Sequence, residues 1–214
     1  MNPHRHSRVP PHCLVISTLN PQPSTLMHTA AQHLTAIELE QGLPDVLASP
    51  HDTGRLKAIF VRPAMNERHA LTMARLSPEG GIDGDRWVTD SYYRLEGGQS
   101  DPRCQVSLMN ARFLRQIAGE EDTMCLAGDN LIVDLDLSEA NLPAGSQLAI
   151  GDEVVLEVSD LSHTGCSKFE GRYGKDARTF ANNAHGNSLH LRGRFARIVA
   201  GGTISIDDPV RKRG

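Results

Sequence analysis

The segment HTGCSKF, residues 163–169, places one of only four cysteines behind a glycine, three residues after His163 and two before Lys168. A structural cysteine usually sits in an apolar run, where it behaves as a small hydrophobe. Cys166 has polar neighbours instead. A thiolate is a nucleophile, a sulfur acceptor and a soft-metal ligand, and nearby cations lower the thiol pKa from about 8.5. Lys168 and His163 could supply that field, and Gly165 permits a backbone turn that exposes the sulfur. The competing reading is a loop cysteine without chemistry, and the motif alone divides evenly between the two. His163 and Cys166 as half of a zinc site lack two further ligands at suitable spacing.

Basic residues surround this thiol. Net charge is −4, but residues 163–214 hold ten Lys and Arg against four Asp and Glu, a balance of +6; residues 1–162 hold twelve against twenty-two, or −10. Such a cluster is most often a solvated face; the sharper reading is a site for a small anion such as a phosphate. Nucleic acid is disfavoured, because the rest of the chain is acidic and aromatics for base stacking are only 4% of residues. The loop GGIDGDR, residues 80–86, lacks the pattern of a P-loop. Its glycines still let backbone N–H groups approach an anion, and Arg86 can grip one bidentately. A tight turn is the commoner reading. Asn130, after Gly128 and Asp129, offers donors and acceptors at the head of a strand, which is also ordinary turn chemistry. Five of the ten histidines fall in the first 33 residues, and His185 and His190 read as structural. No nucleophile-elbow motif supports a Ser–His–Asp hydrolase.

These groups need a scaffold, and the hydrophobic pattern predicts one rich in short strands. A helix is expected over 30–47, with Leu34, Ile37 and Leu43 on one face. Strands are expected at 56–62, 70–76, 104–109, 130–135, 147–150, 154–158, 196–200 and 203–206, with Gly201-Gly202 as a hairpin turn. Asn110 reads as the N-cap of a helix through Ala118 closed by Gly119, and 176–183 as a short helix. With 19 glycines, 12 prolines and no βαβ alternation, the fold class is mainly β (α+β), a barrel with short peripheral helices. Residues 1–26, rich in Pro, His, Ser and Asn, read as a disordered leader or sequence upstream of the real start at Met27, and 27–214 as a single domain. No run approaches the roughly 20 apolar residues of a membrane helix. Widely spaced cysteines without CxxC pairs or a signal peptide suggest a reduced, cytoplasmic setting.

The order of landmarks resembles the MOSC domain, the family named for the C-terminal domain of molybdenum cofactor sulfurases. The resemblance covers roughly residues 54–210 and rests on GGIDGDRW, QVSLMN, GDNLIVDLDLS, NLPAGSQLAIGD, VVLEVSDLSHTGCSKF and RFARIVAGGTIS. It implies a MOSC-type β-barrel that binds the molybdenum–pyranopterin cofactor, with Cys166 ligating the metal or carrying sulfur. Ser107 and Asn130 match positions lining the cofactor pocket, and a basic surround with Arg86, His163 and Lys168 would hold the pterin's phosphate and depress the thiol pKa. Trp87 stands where many members have His, and Asp207-Asp208 replaces the usual Gly-Asp. The resemblance further implies reduction of N-hydroxylated compounds with electrons from a separate protein, since the chain has no flavin, haem or iron–sulfur motif. Two alternatives remain at this point: a non-enzymatic carrier of persulfide or of the cofactor served by a delivery protein, and a barrel binding module with neither chemistry. No PLP domain fits in this length.

Overall fold

Burial alternates along the strands, and this alternation sets the architecture. The computed structural model describes residues 14–15, 33–119 and 121–213. Its strands are β1 (Leu14–Val15), β2 (Thr53–Val61), β3 (His69–Leu71), β4 (Met73–Ser77), β5 (Gly81–Ile82), β6 (Val106–Asn110), β7 (Leu131–Asp134), β8 (Gln147–Ile150), β9 (Val154–Val158), β10 (Arg194–Ala200), β11 (Gly202–Ser205) and β12 (Pro209–Arg213). The helices are α1 (Ala36–Leu47), α2 (Ala111–Ala118), α3 (Ser167–Tyr173), α4 (Lys175–Asn182) and α5 (Ala184–Ser188). Strands β2, β12, β8, β9, β10, β6 and β7 follow one another in hydrogen-bonded order, and β7 pairs back onto β2. This closes a seven-stranded barrel, the mainly β fold expected, and closure removes the exposed edges of an open sheet.

Two apolar clusters follow from the period-two alternation. Leu56 and Ile59, Val106 and Leu108, Leu131 and Val133, and Leu156 and Val158 belong to the cluster that fills the barrel. Phe60, Met109 and Ile132, on the other face of the same strands, join Leu39, Leu43, Phe113, Leu114, Phe169 and Phe180 in a second cluster under the helices. Each fully buried side chain of this size contributes about 1.5–3 kcal/mol. Helix α2 is framed as its sequence predicts. The Asn110 carboxamide oxygen accepts from the Arg112 and Phe113 N–H groups at 2.9 and 3.0 Å, and Gly119 ends the helix at φ 73°.

Several expectations are corrected. The strand expected at 70–76 is two strands in different sheets, β3 beside β2 and β4 in a three-stranded sheet with β5 and β11. Gly201-Gly202 is not a hairpin turn, because β10 stays in the barrel while β11 leaves to pair with β4. Among the described residues there is one βαβ unit: β6 and β7 are parallel, with α2 crossing between them. On α1 the buried face is Leu39, Leu43 and Val46, and Ile37 is 71% exposed. Of the expected leader, only Leu14–Val15 falls among the described residues, as a short strand parallel to β3; the rest of that expectation lies outside them.

Candidate functional site

The segment Leu126–Asn130 runs into β7, and arginines from separate parts of the chain take its carbonyls. Arg172, on α3, donates to the Leu126 carbonyl. Arg192 donates to the Ala127 carbonyl at 3.1 Å, and Arg62, just after β2, to the Gly128 carbonyl at 3.3 Å. Gly128 sits at φ 84°, and a Cβ there would lie 3.5 Å from an Arg68 nitrogen and 3.9 Å from an Arg172 nitrogen. The turn is thus a node on which cations from the barrel rim and from α3 converge.

Asp85 holds this rim together. Its carboxylate accepts from the Arg62 backbone N–H and Nε, both at 2.9 Å, and from Arg62 Nη2, Asn130 Nδ2 and the Trp87 N–H at 3.0 Å each. Burial works to raise the Asp85 pKa, but Arg62 and Asn130 outweigh it and the carboxyl lies below its usual range. Asn130 Oδ1 accepts from the Ser107 N–H and hydroxyl at 3.1 Å and from Arg62 at 3.0 Å, while Nδ2 also donates to the Phe60 carbonyl at 3.1 Å. Ser107 and Asn130 are therefore buried and pinned to each other inside the barrel wall.

Cys166 is exposed, whereas Cys104 and Cys125 are buried. It occupies the N-cap position of α3, where the first N–H groups of the helix act on its sulfur without a short cap hydrogen bond. The loop before it is clamped to α4. Asn182 accepts from the Gly165 N–H at 2.7 Å and donates to its carbonyl at 2.9 Å, and Arg178 donates to the same carbonyl at 3.1 Å. Partial burial works to raise the Cys166 thiol, but the N–H groups of Phe169 and Lys168 and the charge of Arg192 outweigh it, and the net shift is downward. The direction matches the sequence expectation; the source does not. Lys168 turns its ammonium toward Met65 Sδ, 3.6 Å away, and contributes its backbone N–H instead. His163 is driven well below its ordinary pKa by burial, then by Arg192 and Arg62, so it is neutral and supplies no cationic field. Arg192 does supply one. It is buried, bonds Asp129 at 2.7 Å and lies 5.0 Å over the Phe169 ring of α3.

Charge around the turn is unbalanced. Arg68 is 8% exposed and is pushed down to about 10 by burial and by Arg172, Arg62 and Arg86. Its Nε, together with Arg86 Nη1 and Arg192 Nε, is buried without a hydrogen-bond partner. Buried guanidinium N–H groups normally find acceptors, so this set suits an anion rich in oxygen. Helix α3 connects the two features, because Cys166 caps it and Arg172 lies six residues on, about 9 Å along the axis at 1.5 Å per residue.

Of the residues expected at the site, Cys166, Arg86 and His163 bring unspent atoms to this region, Ser107 and Asn130 build its wall, and the Lys168 side chain points elsewhere. Arg172 and Arg192 lie in the basic segment that the sequence already marked around Cys166, whereas sequence reasoning missed Arg62, Arg68, Asp85 and Asp129. Their only local signal was the unusual crowding of Arg near Gly- and Asp-containing turns. Trp87 is 7% exposed, donates from Nε1 to the Asp101 carbonyl at 3.2 Å and packs on Gly81.

A family model described as the MOSC domain matches residues 92–211. Among solved structures, the YuaD protein from Bacillus subtilis is similar in fold, with a TM-score of 0.54 at 15% identity over 74% of this chain and 94% of that one. YiiM from Escherichia coli matches with a TM-score of 0.47 at 16% identity, covering 75% and 70%. No curated protein matches the chain.

Proposed function

Because the chain belongs to the MOSC domain family, which is associated with the molybdenum cofactor, we propose that it binds molybdenum–pyranopterin with Cys166 as the protein ligand to the metal. The observation that carries this reading is an exposed thiol with a lowered pKa at the head of α3, whose Arg172 converges on the Leu126–Asn130 turn with Arg68 and Arg192, which, like Arg86, hold buried N–H groups without partners among the described residues. Among the described residues no group of three or more His, Cys, Asp or Glu could hold a metal ion, so a metal at Cys166 would take its other ligands from a cofactor. A thiolate suits molybdenum as a soft donor, and Arg68, Arg86 and Arg172 suit the terminal phosphate of the pterin. When bound, that group supplies two-electron redox chemistry.

The residues of the chain do the rest. Asn182 and Arg178 hold the Cys166 loop in one geometry, Asp85 orients Arg62, and the Phe169 and Lys168 N–H groups, with Arg192, favour the thiolate. The reaction class is reduction of N-hydroxylated compounds such as amidoximes and hydroxylaminopurines, with electrons from a separate protein. The balance is R–NH–OH plus two electrons and two protons giving R–NH2 plus water. The test is anaerobic purification of wild type and Cys166→Ser, with molybdenum and pterin content measured and amidoxime reduction assayed with an artificial donor. Molybdenum-loaded, active wild type and metal-free Cys166→Ser are expected. A second reading rests on the same exposed, acidified thiol: a persulfide carrier. Sulfane sulfur on Cys166 in molybdenum-free, inactive protein would replace the first reading with this one.

No helix among the described residues is long and apolar enough to cross a membrane.

A further inference from the structure

Two buried polar atoms at the site face each other without a hydrogen bond. Asp129 Oδ1 and His163 Nδ1 lie 3.6 Å apart, and among the described residues neither has another hydrogen-bond partner. The other Asp129 oxygen is held by Arg192 at 2.7 Å. The imidazole is fixed on three sides: its ring stacks on Phe195 at a centroid distance of 4.1 Å, Asp129 stands beyond Nδ1, and Gly193 lies against it. Gly193 sits at φ 107°, and a Cβ there would meet the Leu108 carbonyl and come within 3.3 Å of His163 Nδ1. The 11% of the side chain that stays exposed is therefore on the ring away from Nδ1.

We propose that Asp129 is a positioning residue that holds His163 as the Nδ1–H tautomer, leaving Nε2 as the proton-carrying atom beside the Cys166 loop. The inference rests on the reductase reading for the use of the proton, but the tautomer itself does not. The 2.7 Å bond from Arg192 favours the ionised carboxylate against burial, and an ionised Asp129 can only accept, which puts the proton between the two atoms on the imidazole. Burial raises the Asp129 carboxyl above its usual range against the pull of Arg192, Arg62 and Ser107, and burial, then Arg192, Arg62 and His190, lowers His163. Burial and the two arginines disfavour a resting imidazolium, so Nε2 takes a proton from water only in passing it on. In the balanced reaction that proton goes to the oxygen that leaves as water, a second proton from solvent goes to the nitrogen, the N–O bond breaks, and the redox partner supplies both electrons. The other groups at the site are committed: Asp85 is saturated by its donors, and the Lys168 ammonium is turned to Met65.

The experiment is long-range proton–nitrogen NMR on protein carrying 15N-labelled histidine, near neutral pH, with His163→Gln to assign the signal. The Nδ1–H tautomer is expected for His163; an Nε2–H tautomer or a doubly protonated ring in wild type overturns the proposal. Asp129→Asn should flip the ring to Nε2–H, because the amide can donate to Nδ1 and an orienting carboxylate cannot. An unchanged tautomer in folded Asp129→Asn removes the role given to Asp129. In molybdenum-loaded protein, His163→Gln should lower kcat about 100-fold with KM little changed and flatten the pH profile, as for a lost proton carrier. Loss of molybdenum from His163→Gln with normal kcat per metal refutes proton carriage. If loaded wild type reduces no N-hydroxylated compound, the reductase reading fails, and the spectra still decide the pair.

Discussion

Cys166 and Lys168 are two residues apart, yet only the backbone of the second serves the first. The thiol is acidified by N–H groups at the head of α3 and by Arg192, so its reactivity should survive Lys168→Ala and fall in Arg192→Met. Alkylation of cofactor-free protein, followed by mass spectrometry across pH, is expected to label Cys166 first, with a midpoint below the free-cysteine value of about 8.5. Faster labelling of Cys104 or Cys125, both buried, would falsify the assignment. Arg68→Ala should weaken retention of the cofactor, or of inorganic phosphate in its absence, more than Lys168→Ala does. Arg68 is buried with a free Nε, while Lys168 is exposed. Isothermal titration with phosphate distinguishes the two variants.

At the scale of elements, the turn before β12 keeps Asp207 at φ 67°, where the family resemblance expects glycine. A left-handed residue with a side chain costs about 1 kcal/mol, and the exposed Lys57 contact at 3.1 Å offsets little of it. Asp207→Gly is therefore expected to raise stability by about 0.5–1 kcal/mol in urea melts; a loss would show that the lysine contact matters more than the backbone. The legible elements were those with their own punctuation. Asn110 and Gly119 bracket α2, and the Gly151-Asp152-Glu153 turn separates β8 from β9. Helix α3 was missed because SKFEGRY carries an internal glycine and only two buried side chains, Phe169 and Tyr173. Strand β12 was missed because PVRKR has one apolar residue, Val210, and depends on β2 and β8 for its pairing. The site divides the same way. Cys166 announced itself locally, as did Arg86 and the basic segment holding Arg172 and Arg192, but Arg62 and Arg68 join them only through the fold, which no local pattern encodes.

For the whole molecule, two half-buried histidines set an acid limit on stability. Burial, the largest cause at both sites, holds His163 and His190 below their ordinary pKa. The unfolded chain therefore takes up protons below about pH 6.5 that the native state refuses. Stability is expected to be full above that value and to fall as pH drops through it, by up to about 1.4 kcal/mol per pH unit for each histidine. Urea midpoints at pH 7.5 and 5.5 check the sign, and His163→Gln should reduce the slope. Stability that rises on acidification across this range contradicts the assignment.

The pairing of β12 with β2 joins Arg211 to Thr53 and Pro209 to Arg55 across most of the sequence. On a ribosome, every other barrel strand is made before residues 209–213 emerge. Until they do, β2 and β8 each present a row of unpaired backbone groups, the surface on which chains join edge to edge. Contacts this distant in sequence also form slowly. A nascent chain stalled before Pro209 is thus expected to be a chaperone client, with its barrel unable to seal until translation has passed the last strand.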